Sequence, residues 1–130
     1  MRAQLAETRV MCVVARTEQQ GIREAWDQLD APLDSFLGRR FYGVRNGGEY
    51  RACVAIEPGD DPADLGLEEW TIPGGTYVST CITEWPRYTH HIKKRFASLE
   101  RKADVDRSRP EIEYYVDASN LILYLPVQDG

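Results

Sequence analysis

Glu113 and Tyr115 stand two residues apart in the run Glu111-Ile112-Glu113-Tyr114-Tyr115-Val116-Asp117. At a period of two, Ile112, Tyr114 and Val116 make an apolar face, and Glu111, Glu113, Tyr115 and Asp117 make the opposite one. A strand packed on one side only has this pattern. Exposed carboxylates are the norm, so a solvated face is the plainest account of it. If the face borders a concavity instead, a glutamate beside a tyrosine supports two chemistries. The first is a counter-charge for a cation. A carboxylate withdrawn from water is costly unless paired, and each aromatic face over the bound charge adds roughly 0.5–2 kcal/mol. The second is general acid–base work by a carboxyl whose burial raises its pKa. An anionic ligand meets the wrong sign in either case.

Other residues extend or limit these options. The chain has seven Tyr and three Trp. Trp70, Tyr77 and Tyr115 are candidate walls, because each alternates with apolar residues that can face helices instead. Tyr42 and Trp85, in or beside expected elements, are further ligand-binding candidates, and Trp26 is assigned to the core by its helical register. The signatures GxSxG, HExxH, GxGxxG and the Walker loop are absent. His90 and His91 are neighbours on an expected helix, about 100° apart, and do not readily share a metal. With Lys93, Lys94, Arg95, Arg101 and Lys102 they form a basic helix, read as a solvated face with terminal cations complementing the helix dipole. Cys12, Cys53 and Cys81 form no CxxC pair and suggest no zinc site. Each lies in a strand-like run, where buried free thiols are expected. No metal and no cofactor are expected.

The net charge of −5 and pI near 5.0 argue against nucleic acid as a partner. No basic stretch followed by an apolar core opens the chain, and no apolar run approaches the ~20 residues of a membrane helix. Free thiols fit a reducing compartment, so a cytoplasmic protein with no membrane partner is expected. The oligomeric state is open.

The elements that must position Glu113 follow from periodicity. Thr8 to Arg16 reads as a buried strand. Gln19 to Leu37 carries Ile22, Trp26, Leu29, Leu33 and Phe36 at helical spacing, interrupted at Pro32 and stopped by Gly38. Phe41 to Arg45 and Tyr50 to Pro58 are strands joined across Asn46-Gly47-Gly48. Gly59 to Gly66 reads as a linker. Leu67 to Thr83 is extended, with a break at Pro73-Gly74-Gly75. A helix is expected from Pro86 to about Lys102, with Tyr88, Ile92, Phe96 and Leu99 as its apolar stripe. Two final strands follow. Thr8 and Thr76, like Pro58 and Pro126, are 68 residues apart, which makes an internal repeat plausible. The expected fold is therefore one α+β domain, a duplicated βαββ unit with an antiparallel sheet. Module one spans about 6–58, the linker 59–66 and module two about 67–127. The sheet faces away from the helices should turn toward a shared central groove, with Glu113 and Tyr115 pointing into it.

Three stretches resemble one family. Ile72-Pro73-Gly74-Gly75-Thr76-Tyr77 opens the second half, Glu113-Tyr114-Tyr115 is an acidic-x-aromatic strand, and Leu125-Pro126-Val127 ends the last strand. Together and in this order they resemble the GyrI-like effector-binding domains, bacterial drug-sensing modules also found in AraC-type and MerR-type multidrug regulators. The resemblance implies two SHS2-type modules related by a pseudo-twofold around a ligand cleft. It further implies Glu113 as the ligand's counter-charge and an aromatic lining in which spacing places Tyr115. The regulators carry a helix-turn-helix domain for which 130 residues leave no room, so a stand-alone member is expected. Such members are similar to drug-binding or toxin-sequestering proteins, to the gyrase-inhibitory protein, and to hydrolases of reactive cyclopropane-bearing compounds. The first expectation is non-catalytic binding of amphipathic, cationic small molecules. The second is hydrolysis of such an electrophile with Glu113 as acid/base. The third is inhibition of a topoisomerase through the basic helix and acidic linker.

Overall fold

In the computed structural model, which describes residues 2–16, 19–84, 92–101 and 104–128, the alternating runs form strands and the 3.6-period runs form helices. The order is β1 (Arg2–Leu5), β2 (Thr8–Arg16), α1 (Gln19–Asp30), β3 (Phe41–Asn46), β4 (Glu49–Ala55), β5 (Glu68–Ile72) and β6 (Gly75–Thr83). It continues with α2 (Ile92–Glu100), β7 (Glu111–Tyr115) and β8 (Asn120–Pro126). The fold is α+β. The eight strands among the described residues join one antiparallel sheet, curled into a half-barrel, in the order β1-β6-β8-β7-β3-β4-β2-β5.

Strand parity decides what each face buries. Tyr50, Ala52 and Val54 of β4 pack with Met11 of β2 beneath Ala25 and Leu29 of α1. Leu121, Leu123 and Leu125 of β8 pack with Ile82 beneath Ile92 and Phe96 of α2. The helix-free face has its own core of Val10, Cys12, Val44, Cys53, Ile72, Tyr77 and Ile112. Leu5 and Trp70, from the two edge strands, close over that core as the sheet curls.

This arrangement corrects the groove expected from the sequence. Glu113 pairs with Gly43 on one side and Leu123 on the other, and Tyr115 pairs with Phe41 and Leu121. Phe41 belongs to the α1 cluster and Leu121 and Leu123 to the α2 cluster. The Glu113–Tyr115 face is therefore the helix-bearing one, at the seam between the two helix-covered cores. The opposite face is filled by apolar side chains.

Other boundaries differ for local reasons. α1 ends at Asp30 and does not continue to Leu37, because Pro32 lacks the N–H that the next turn needs. β1 is an edge strand with no apolar run to announce it. It lies along β6, and Gly74 is required beside it, since a Cβ there would meet Glu7 N at 2.7 Å and Leu5 O at 2.8 Å. The 59–66 segment forms turns, tied down by a two-pronged Arg39–Asp60 ion pair with both contacts at 2.8 Å. The expected start of the second helix, with Pro86, Tyr88, His90 and His91, lies outside the described residues, as does Lys102. Lys94 and Arg95 are exposed. Cys12 and Cys53 are buried as expected, whereas Cys81 is exposed because it falls on the outward parity of β6. Among the described residues, no helix is long and apolar enough to cross a membrane.

Candidate functional site

The site begins with a missing side chain. Gly43 sits in the middle of β3 opposite Glu113, and a Cβ there would collide with the Tyr50 hydroxyl and with Glu113 Oε1. Glycine is weak inside a strand and marks a place where another group approaches closely. Here the carboxylate takes the space. Glu113 is 1% exposed and is the buried charged residue among those described.

Its charge is met from three directions. The Tyr115 hydroxyl donates to Oε1 at 2.7 Å and the Tyr50 hydroxyl to the same oxygen at 2.9 Å. Arg45 Nε donates to Oε2 at 2.9 Å. Trp26 Nε1–H donates to the Tyr50 oxygen at 3.2 Å, so the network runs from α1 through β4 to β7. The Arg45 guanidinium also lies 5.1 Å from the Tyr50 ring centre. Burial, and then the Glu113 charge, push both tyrosine hydroxyls well above their ordinary pKa. They stay protonated and keep donating. Burial works against the Arg45 charge, but Glu113 more than offsets it and raises its pKa.

Beside this network is a cleft of about 690 Å³, within the size range of small-molecule sites. Trp26 and Asp30 of α1 form one wall, Phe36 to Phe41 another, and Tyr114 to Asp117 the floor. Trp26 meets Tyr115 edge-on with ring centres 5.4 Å apart, and Phe41 lies 6.3 Å from Trp26. Glu113 does not line the cleft. It lies behind Tyr115, whose hydroxyl it holds.

The sequence-derived candidates separate accordingly. Glu113 and Tyr115 come together. Tyr42 is on the helix-free face, stacked on Tyr114 at 5.0 Å. Trp70 packs there beneath Arg51, with the guanidinium carbon 4.7 Å from its ring centre. Tyr77 is fully buried on that face, and its hydroxyl donates to Pro73 O at 2.7 Å. Trp85 lies outside the described residues. Sequence reasoning missed Tyr50, Arg45, Phe41 and Phe36, and it assigned Trp26 to the core although that residue is half-buried on the cleft wall. The signal available was Phe41-x-Gly43-x-Arg45, a mid-strand glycine between an aromatic and a cation on one face. Among the described residues, no group of three or more His, Cys, Asp or Glu is placed to hold a metal ion.

No protein-family model matches the sequence, and comparison with curated proteins finds no match. Solved structures do match in fold. An integron cassette protein from the mobile metagenome of Vibrio cholerae aligns at TM-score 0.76 with 16% identity, covering 98% of this chain and 95% of that one. A protein solved bound to tetraphenylphosphonium aligns at 0.66 with 18% identity, covering 98% and 93%. A hydrolase from Listeria innocua aligns at 0.63 with 13% identity, covering 98% and 90%. At these identities the likeness establishes the fold, which this chain shares along nearly its whole length with proteins including one that holds an organic cation.

Proposed function

We propose that this protein binds amphipathic organic cations non-catalytically, in the cleft walled by Trp26, Phe36, Phe41 and Tyr115, with Glu113 as counter-charge. The observation that carries this reading is the position of a buried carboxylate directly behind the aromatic floor of an open cleft of about 690 Å³. A cation over Trp26, Phe41 and Tyr115 gains roughly 0.5–2 kcal/mol per ring face. The Tyr115 hydroxyl donates to Glu113, which makes its ring a better partner for a cation. Arg45 neutralises part of the carboxylate charge, so the aromatic walls supply much of the attraction. The fold shared with the tetraphenylphosphonium-bound protein supports the class of ligand.

Binding is favoured over hydrolysis because Glu113 is engaged by three donors and does not line the cleft. A general base has to reach the proton it removes. Duplication of an SHS2-type, GyrI-like module belongs to the same proposal, and the strand order supports it. The pair Val10–Trp70 near one sheet edge has its counterpart in Val78–Arg2 near the other, each residue 68 positions from its equivalent. On this reading, each βαββ unit is preceded by a short strand, β1 or β5, which borders the long strand β6 or β2 of the other unit.

The test is titration with tetraphenylphosphonium, following tryptophan fluorescence. Saturable quenching is expected, lost in Trp26→Phe and retained in Trp70→Phe, with affinity about tenfold weaker in Glu113→Gln, or roughly 1.4 kcal/mol. Quenching that survives in Trp26→Phe but vanishes in Trp70→Phe would move the ligand to the helix-free face and end this assignment.

A further inference from the structure

A second site lies on the helix-free face and is independent of the cleft. Cys12 of β2 and Cys53 of β4 are direct cross-strand partners and both are buried. The ladder fixes which kind of pair they make. Ile56 N–H donates to Arg9 O at 3.0 Å, so Arg9 and Ile56 form a hydrogen-bonded pair. Such pairs alternate with non-hydrogen-bonded ones along antiparallel strands. Three residues along each strand, Cys12 and Cys53 are therefore a non-hydrogen-bonded pair. Partners of that kind have Cα atoms about 4.5 Å apart and their side chains close together, inside the range a disulfide spans.

Arg51 sets this pair apart from two buried thiols at rest. Its Nη1 approaches Cys12 Sγ at 3.5 Å, and its Nε is buried with no hydrogen-bond partner among the described residues. The charged groups facing Cys12 are Arg51 and, across the strand end, Glu68, which reaches Arg51 at 3.8 Å. A hydrogen bond with the Cys53 thiol and then the Arg51 charge bring Cys12 down to about 7 against the opposing effect of burial. Burial holds Cys53 well above its ordinary value, so it stays a thiol. One cysteine is thus disposed to act as thiolate and its neighbour to resolve it. Cys12 also faces Glu68, the first residue of β5, so the outer ladder over β2 stops beside it.

We infer that Cys12 and Cys53 form a reversible, peroxide-sensitive dithiol site, with Cys12 the attacking thiolate, Cys53 the resolving thiol and Arg51 the positioning cation. Cys12 thiolate attacks a hydroperoxide oxygen; the O–O bond breaks, and sulfenic acid and hydroxide (or alkoxide) result. Cys53 sulfur then attacks the sulfenic sulfur. The S–S bond forms, the S–O bond breaks, and the Cys53 proton leaves with the hydroxyl as water. For hydrogen peroxide, two thiols and one peroxide become one disulfide and two waters. A small-molecule thiol reverses the step by exchange.

The test uses the full chain with Cys81→Ser, which removes the exposed thiol. The protein is treated with hydrogen peroxide, quenched, alkylated under denaturing conditions and mapped by peptide mass. The expected product is a linked Cys12–Cys53 peptide pair, lighter by two hydrogens and restored by dithiothreitol. Its rate should rise with pH through about 7. Arg51→Gln, checked for an unchanged far-UV spectrum, should slow bridging several-fold at neutral pH and move that rise to higher pH, which loss of a packing contact alone would not do. Full alkylation of both thiols after peroxide, or Cys12 halted as sulfinate with Cys53 still free, overturns the assignment. Equal rates and pH profiles with and without Arg51 overturn its role.

Discussion

Replacing Gly43 by alanine tests the site with a single methyl group. The added Cβ would overlap the Tyr50 hydroxyl and Glu113 Oε1 and approach Tyr50 Cζ at 2.9 Å. Tyr50 and Glu113 are each 1% exposed, so neither can swing into solvent. Overpacking of this kind costs about 1–3 kcal/mol. Displacing the Tyr50 hydroxyl leaves a buried donor without its acceptor, for about 1–3 kcal/mol more. The expected loss is about 2–5 kcal/mol, since the two effects share one displacement. For a chain of this size that lowers Tm by roughly 6–25 °C, at about 3–5 °C per kcal/mol. Urea unfolding followed by circular dichroism measures it. Gly48→Ala is the control, because a Cβ there meets nothing within 4 Å, and it should stay within about 0.5 kcal/mol of the parent. Adding Tyr50→Phe to Gly43→Ala removes the atom that is struck, so the double variant should lose less than the two single losses combined. A Gly43→Ala protein as stable as the parent, or strict additivity in the double variant, would refute the steric argument.

Two pH dependences follow from the same structure. Tyr50 and Tyr115 have folded-state pKa values raised well above the unfolded value of 10.0. Their contribution is fully present below pH 10 and is lost as pH rises above it, because the unfolded chain then releases protons that the folded one retains. Alkaline denaturation should therefore show a limb starting near pH 10 that Tyr50→Phe flattens; an unchanged limb counts against the buried network. At the acid end, the Arg39 guanidinium holds Asp60 at about 2 against an ordinary 3.8. That contribution is present above about pH 4 and is lost as pH falls toward 2, so Arg39→Gln should shrink the acid limb between those values. An acid limb identical in Arg39→Gln and parent would show that the pair does not couple to folding.

Much of the arrangement was legible in the chain because it depends on local rules. The alternation at Glu111–Tyr115 placed Glu113 and Tyr115 on one face, and that parity holds. Helical spacing located α1, and the β3–β4 hairpin follows from glycines, with φ of 64° at Gly47. The α+β class follows from that succession of periods. What covers each face was not legible. Period two divides a strand into two faces without saying which meets a helix, and β7 learns that only from its neighbours β3 and β8. Trp70, Tyr77 and Tyr42 therefore looked equivalent to Tyr115 in sequence, yet strand register puts them on the opposite side of the sheet. Arg45 and Tyr50 reach Glu113 from 68 and 63 residues away in the chain, and Trp26 joins them through Tyr50 from 87 away, a meeting no local pattern can announce. The chain by itself determined that a carboxylate and an aromatic would share a strand face. Only the packing of β3 against β7 decided that the carboxylate would be buried and paired with an arginine behind a cleft wall, because register is set by the whole sheet and not by any one strand.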